Sequence, residues 1–168
     1  VSLCLKSFNF REDAEITVEA NPNTVSEQAL TALRRAGVNR LSLGVQAFSD
    51  RLLAGLGRSH TVAEAQAAIE AARRAGFANL NLDLMYGLPG QSAADWRDTL
   101  SEALACGPEH LACYELTIEE GTPFARLVER GELSLPGEEE ALAMAELTHA
   151  FLARAGLGRY EISNYAAP

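Results

Sequence analysis

Several common signatures are missing from this 168-residue sequence, and each absence closes off a class of function. No apolar run approaches the ~18 residues a membrane-spanning helix needs, and the start carries no signal-peptide pattern, so a cytoplasmic protein without an integral membrane segment is expected. Basic clusters are lacking too: 14 Lys and Arg stand against 23 Asp and Glu, a net charge of −9. That balance argues against a nucleic-acid backbone or an anionic membrane as partner. The three cysteines, Cys4, Cys106 and Cys113, lack the short spacing of a zinc or iron–sulfur site and are expected as small buried residues. There is no GxGxxG, P-loop, HExxH or GxSxG, which leaves dinucleotide-binding and hydrolase readings without support.

What the sequence does contain is organised around Leu80 to Gly90, LNLDLMYGLPG. Leu80, Leu82 and Leu84 alternate with Asn81 and Asp83, so a strand is expected with one apolar and one polar face. A strand buried on both faces of a parallel sheet is a near-continuous apolar run. Two successive polar residues on one face therefore point to a wet cavity.

The same grammar repeats. Four helical patterns end in a glycine, at Gly37, Gly76, Gly107 and Gly156, where a left-handed C-cap is expected, and a strand-like run follows within a few residues. Arg34/Arg35 and Arg73/Arg74 fall in the last turn before two of these caps, where cations meet the negative end of the helix dipole. Capping boxes are expected at Thr24/Glu27 and Thr61/Glu64, and Ser92 with Asp95 is expected to cap a third helix. Strands are expected at EITVEANP, with Thr17 and Glu19 on one face; at RLSLGVQAF, with Ser42, Gly44 and Gln46 on one face; and at HLACYELTI, with Cys113, Glu115 and Thr117 on one face. The final run, RYEISNYAAP, is expected as a fifth strand, Ser49 to Gly57 as a loop or short helix, and residues 1–10 as the end of a helix. Trp96 is expected to pack, and His110 and His149, without partners in sequence, to be structural or solvated.

A polar face on every strand fits poorly with a doubly wound sheet, whose two faces are both covered by helices. It fits an arc of a parallel (β/α) barrel with helices outside, and because a complete barrel fills its interior with branched apolar layers, a polar interior implies an open barrel holding a ligand. Ligands in such folds sit at the C-terminal ends of the strands, where Glu19, Gln46, Asp83 and Thr117 fall. Three carboxylates, Glu19, Asp83 and Glu115, with Arg58 in a nearby loop, suit a zwitterionic or cationic ligand bearing hydroxyls.

The residues also carry a family resemblance. VEANP at 18–22, NRLSLGVQAF at 39–48, LGRSH at 56–60, NLDLMYGLPGQ at 81–91, LTIEEGTPF at 116–124 and YEISNYA at 160–166 together resemble the oxygen-independent coproporphyrinogen III oxidase-like branch of the radical SAM enzymes. VEANP, EEGTPF and YEISNYA resemble the haem chaperones of that branch more than its dehydrogenases. The resemblance implies a partial (β/α)6 barrel that binds S-adenosylmethionine beside a [4Fe-4S] cluster. It implies S-adenosylmethionine contacts at Glu19, Gln46, Arg58 and Asp83, and a contact made mainly by backbone at Thr117. Arg58 would suit the ligand carboxylate and the acidic residues its ammonium, sulfonium or ribose hydroxyls.

The family's CxxxCxxC cluster motif and glycine-rich GGGTP segment are absent from these 168 residues. The expectation is a single truncated barrel domain over 1–168, without the first βα units or the C-terminal domain and without the cluster ligands. A parent protein of this kind is expected to bind haem or porphyrin and pass haem to an accepting protein. The alternatives are a coproporphyrinogen III dehydrogenase of porphyrin biosynthesis and a non-catalytic barrel scaffold.

Overall fold

The structure, a computed structural model, describes Leu3 and residues 7–168; Cys4 and most of the helix end expected over residues 1–10 lie outside the described residues. Four strands, β1 (Thr17–Ala20), β2 (Arg40–Gln46), β3 (Leu80–Tyr86) and β4 (His110–Glu115), lie side by side in that order, all parallel. Between them run α1 (Glu27–Arg35), the short α2 (Asp50–Gly55), α3 (Val62–Arg74) and α4 (Ala93–Ala105). After β4 come α5 (Pro123–Glu129) and α6 (Glu138–Arg154). The partial, open parallel barrel expected from the sequence is the architecture observed.

The core lies on one side of the sheet. Leu41, Leu43 and Val45, then Leu80, Leu82 and Leu84, then Leu111 and Cys113 form its strand layer, against Leu30 of α1, Ile69 of α3, Trp96 and Leu100 of α4 and Leu152 of α6. The leucines are fully buried, each worth roughly 1.5–3 kcal/mol. Trp96 packs as expected, its ring centroid 5.5 Å from that of Tyr86, and its indole N–H donates to the Thr148 hydroxyl at 2.8 Å. The one polar atom of the largest core side chain is thereby satisfied.

Helix ends follow the sequence with one exception. Capping boxes close at Thr61/Glu64 and Ser92/Asp95. Thr24 and Glu27 do not form one, because Pro22 opens an extra 3-10 turn over Pro22–Thr24 and the Thr24 hydroxyl donates to the Asn21 carbonyl at 2.7 Å. Ser26 caps α1 instead, accepting from the Ala29 N–H at 3.2 Å. At the far ends of the helices, Gly76 and Gly107 take positive φ, and the arginines do more than meet a dipole. Arg34 at the end of α1 donates to the carbonyls of Val38 and Gly76 and lies over the Phe77 ring. Arg73 at the end of α3 donates to the carbonyls of Phe77 and Gly107 and pairs with Glu109. Each helix is thus tied to the turn that opens the next strand.

Two expectations are corrected. Strand β4 pairs with β3 so that Asn81 lies beside His110 and Asp83 beside Ala112, which puts His110, Ala112 and Tyr114 on the Asp83 face. Cys113 and Glu115 belong to the opposite, core-side face; alternation defines two faces, but only the register decides which one looks inward. The final run is a short hairpin, β5 (Gly158–Arg159) and β6 (Asn164–Ala166), with β6 antiparallel to β4. The Glu161 carboxylate accepts from the Asn164 amide at 2.6 Å and the Ser163 N–H at 3.4 Å, folding the chain back before a parallel strand can run.

The sheet order β1-β2-β3-β4-β6-β5 leaves β1 as an edge. A free edge presents unpaired backbone donors and acceptors, so the 168-residue chain made alone is expected to self-associate with rising concentration. Sedimentation velocity checks this, and a clean monomer at high concentration contradicts it.

Candidate functional site

The inner face of the sheet, opposite the core, is built by register. Thr17 stands beside Arg40, Glu19 beside Ser42, Ser42 beside Asn81, and Asn81 beside His110, so one polar side chain follows another across four strands. Asn81 is 3% exposed and its Nδ2 donates at 2.7 Å both to Ser42 Oγ and to Asp83 Oδ1. The Ser42 hydroxyl donates to Asp83 Oδ2 at 3.1 Å. His110, also buried, places Nδ1 2.5 Å from Asn81 Oδ1 and Nε2 2.7 Å from the Tyr160 hydroxyl. The far end of β3 thus carries a carboxylate gripped by two donors.

Burial drives the Asp83 carboxyl above the ordinary range, and the charge of Glu19 adds to that; the bonds from Asn81 and Ser42, and the charge of Arg40, pull the other way. Glu19, at the end of β1, is exposed. The two carboxylates feel each other across the face, which makes the C-terminal end of the sheet attractive to a cation.

Strand β2 ends irregularly. Its register slips between Leu43 and Gln46, so that Gln46 pairs with Leu84, and Gln46 takes a φ of 70° while the Ala47 N–H donates to the Val45 carbonyl at 2.9 Å. This is a tight, strained turn for a residue with a side chain. It still delivers the amide to the inner face: a Cβ built at Gly44 would lie 3.1 Å from Gln46 Nε2 and 3.4 Å from Asn21 Oδ1. Gln46 is 6% exposed, and among the described residues its side chain makes no hydrogen bond. Gly44 leaves no side chain between these two polar groups, where even a Cβ would be crowded.

The Arg58 loop is strapped to the same corner. Arg58 donates to Asn21 Oδ1 at 3.3 Å, Ser59 accepts from the Asn23 amide at 2.8 Å, and His60, buried, sets Nε2 3.1 Å from the Val45 carbonyl. Three consecutive residues are fixed to β2 and to the end of β1. Glu19, Gln46, Arg58 and Asp83 therefore gather at one end of β1–β3, as the sequence led us to expect. Among the described residues Thr117 makes no side-chain hydrogen bond to them; it is exposed, two residues past β4. Asn21, Arg40, Ser42 and His110 belong to the same face, and of these His110 had been expected only as structural or solvated. Pairing between strands, which no local pattern reveals, brings it in. A surface hollow over α1, lined by Glu27, Thr31 and Arg35 among others, has no such convergence.

Parallel strands, helices on one side and a polar surface at the strand ends define an open barrel of the kind that binds small molecules at its C-terminal rim. Comparison with known proteins makes this specific: the model of the radical SAM superfamily matches residues 2–103, and the chain belongs to that superfamily. Among curated proteins it is similar to the "Heme chaperone HemW" of Synechocystis sp., 43% identical over 93% of this chain and 38% of that protein, and to that of Bacillus subtilis, 42% identical over 91% and 40%. Among solved structures it resembles the coproporphyrinogen III oxidase HemN of Escherichia coli, a radical SAM enzyme, with a TM-score of 0.84 and 30% identity over 99% of this chain and 38% of that one. The chain spans about two-fifths of the length of the curated relatives it matches.

The superfamily implies S-adenosylmethionine and a [4Fe-4S] cluster, and the residues fit the two differently. For S-adenosylmethionine, the Gln46 amide beside the side-chain-free Gly44, two carboxylates and one arginine form a donor and acceptor set matched to a zwitterion with an added positive charge. For the cluster they do not fit. Among the described residues no three His, Cys, Asp or Glu side chains gather as a metal site. Cys113 is buried in the core layer and Cys106 caps the opposite end of α4.

Because the Asp83 carboxyl ionises more easily in the unfolded chain than in the folded one, its contribution is favourable below the ordinary carboxylate range and is lost as pH rises through the raised value. Asp83→Asn cannot ionise. Its melting temperature relative to the unaltered chain should climb across that acidic window and level off above it; a difference independent of pH contradicts the buried, ionisable role.

Proposed function

We propose that this chain is the S-adenosylmethionine-binding part of a longer haem-chaperone protein, one that binds haem and hands it to an accepting protein. The observation that carries the binding role is the inner-face corner itself, where Glu19, Gln46, Arg58 and Asp83 gather at the C-terminal ends of β1–β3. The chaperone role rests on relatives of that name at 42–43% identity, against 30% for the oxidase structure. On this reading Arg58 holds the ligand carboxylate, Glu19 and Asp83 face its ammonium, sulfonium or ribose hydroxyls, and the Gln46 amide gains its missing partner. Thr117 contributes backbone. Bound S-adenosylmethionine supplies a cationic sulfonium whose carbon–sulfur bond can be cleaved when an electron is available, and what these residues do is bind and orient it.

In the full-length protein, Arg58→Ala and Asp83→Asn are each expected to weaken S-adenosylmethionine binding by about one to two decades, the worth of a charge-assisted hydrogen bond, without a sharp fall in melting temperature. Calorimetric titration measures it. Unchanged affinity beside a sharply lowered melting temperature would mean instead that the two groups serve the fold.

A further inference from the structure

The buried polar chain that runs beneath Asp83 has a direction, and the direction can be worked out from its members. Asn81 offers one amide and one carbonyl. Its Nδ2 lies 2.7 Å from Asp83 Oδ1 and 2.7 Å from Ser42 Oγ, and its Oδ1 lies 2.5 Å from His110 Nδ1. Turning the amide over would set its oxygen against the carboxylate, acceptor against acceptor, and Asn81 is too buried for water to relieve the mismatch. With Oδ1 facing His110, the proton of that imidazole must sit on Nδ1. Nε2 then holds a lone pair and accepts from the Tyr160 hydroxyl at 2.7 Å. At the other end Ser42, having accepted from Asn81, donates its own proton to Asp83 Oδ2. Burial also disfavours the charged imidazole at His110, with Arg40 adding to that and Glu15 opposing it, which keeps the ring in a single neutral tautomer.

We propose that His110 is a positioning residue for the ligand site: held as its Nδ1–H tautomer, it locks the Asn81 amide, which together with Ser42 aims two donors at Asp83 and fixes the carboxylate for the cationic or hydroxyl groups of the ligand. The inference rests on the reading that Asp83 faces that ligand. Its force comes from the alternatives that a buried amide has: with a donor at the Nδ1 position Asn81 presents its N–H groups to Asp83, and with an acceptor there it is driven to present its oxygen. His110 lies a full strand away from Asp83 and acts on it through another side chain. The same chain begins at Tyr160, 66% exposed just before the turn of the β5–β6 hairpin, but a hydroxyl can donate or accept and so follows the tautomer without setting it.

Two measurements on the full-length protein test this. The first reads the unaltered chain: nitrogen-15 spectra of histidine-labelled protein at neutral pH are expected to show His110 as the Nδ1–H tautomer, and an Nε2–H signal overturns the proposal. The second compares His110→Asn, whose amide can place a donor where Nδ1 was, with His110→Asp, which places an acceptor in the same space. S-adenosylmethionine affinity by calorimetry should stay within about threefold in the Asn variant and fall about tenfold or more in the Asp variant, the loss of one charge-assisted bond at Asp83. Equal affinities for the two variants, beside a weakened Asp83→Asn, overturn the positioning role alone. Unchanged affinity in Asp83→Asn overturns the ligand site and the proposal with it. If His110→Asp does not fold, the tautomer still decides.

Discussion

A half-buried carboxylate has to be given donors, and the way Asp83 receives them accounts for much of the inner face. Asn81 precedes it by two residues on the same strand, Ser42 faces it from β2, and their bonds to both oxygens oppose the upward push of burial on its pKa. Those two residues then need partners of their own. Asn81 finds His110 on β4, His110 finds Tyr160, and a line of polar side chains crosses the sheet because one acidic group stands at its end. Leucines in these places would leave a drier interior.

The opposite face carries the stability. Leucines from three strands meet α1, α3, α4 and α6, and the ends of the helices are fixed to the following turns by Arg34 and Arg73. This division of labour lets the C-terminal ends of the strands tolerate strain. Gln46 holds a left-handed backbone conformation, and the Arg58 loop is secured by three hydrogen bonds to neighbouring segments. Both features cost stability or conformational freedom that the core on the other side offsets.

Much of this was legible in the sequence, for identifiable reasons. Alternation in LNLDLMY and RLSLGVQ marked the inward and outward residues of β2 and β3, because leucines and polar residues take strict turns there. Glycine caps and the Thr61/Glu64 and Ser92/Asp95 boxes marked where helices stop and start. Alternation failed at β4, where Cys113 and Glu115 share a face with the core leucines and the inward positions are His110, Ala112 and Tyr114; a strand with a polar residue on each face needs its neighbour's register before it can be oriented. It failed again at the end of the chain, where Glu161 and Asn164 close a hairpin that resembles a continuous strand in one dimension. The β2 bulge was invisible, yet Gln46 reaches the expected corner by a different backbone route. Asn21, Ser59 and His60 carry no local signature, since what they do is join segments distant in sequence.

The central proposal is that the corner made by Glu19, Gln46, Arg58 and Asp83 binds S-adenosylmethionine. A crystal structure of the full-length protein soaked with S-adenosylmethionine tests it most directly. The account predicts ligand density seated over Gly44, with its carboxylate at Arg58 and its positively charged or hydroxyl groups facing Glu19 and Asp83. Density elsewhere on the barrel, with Arg58 folded inward onto Asp83 as an ion pair, would contradict it.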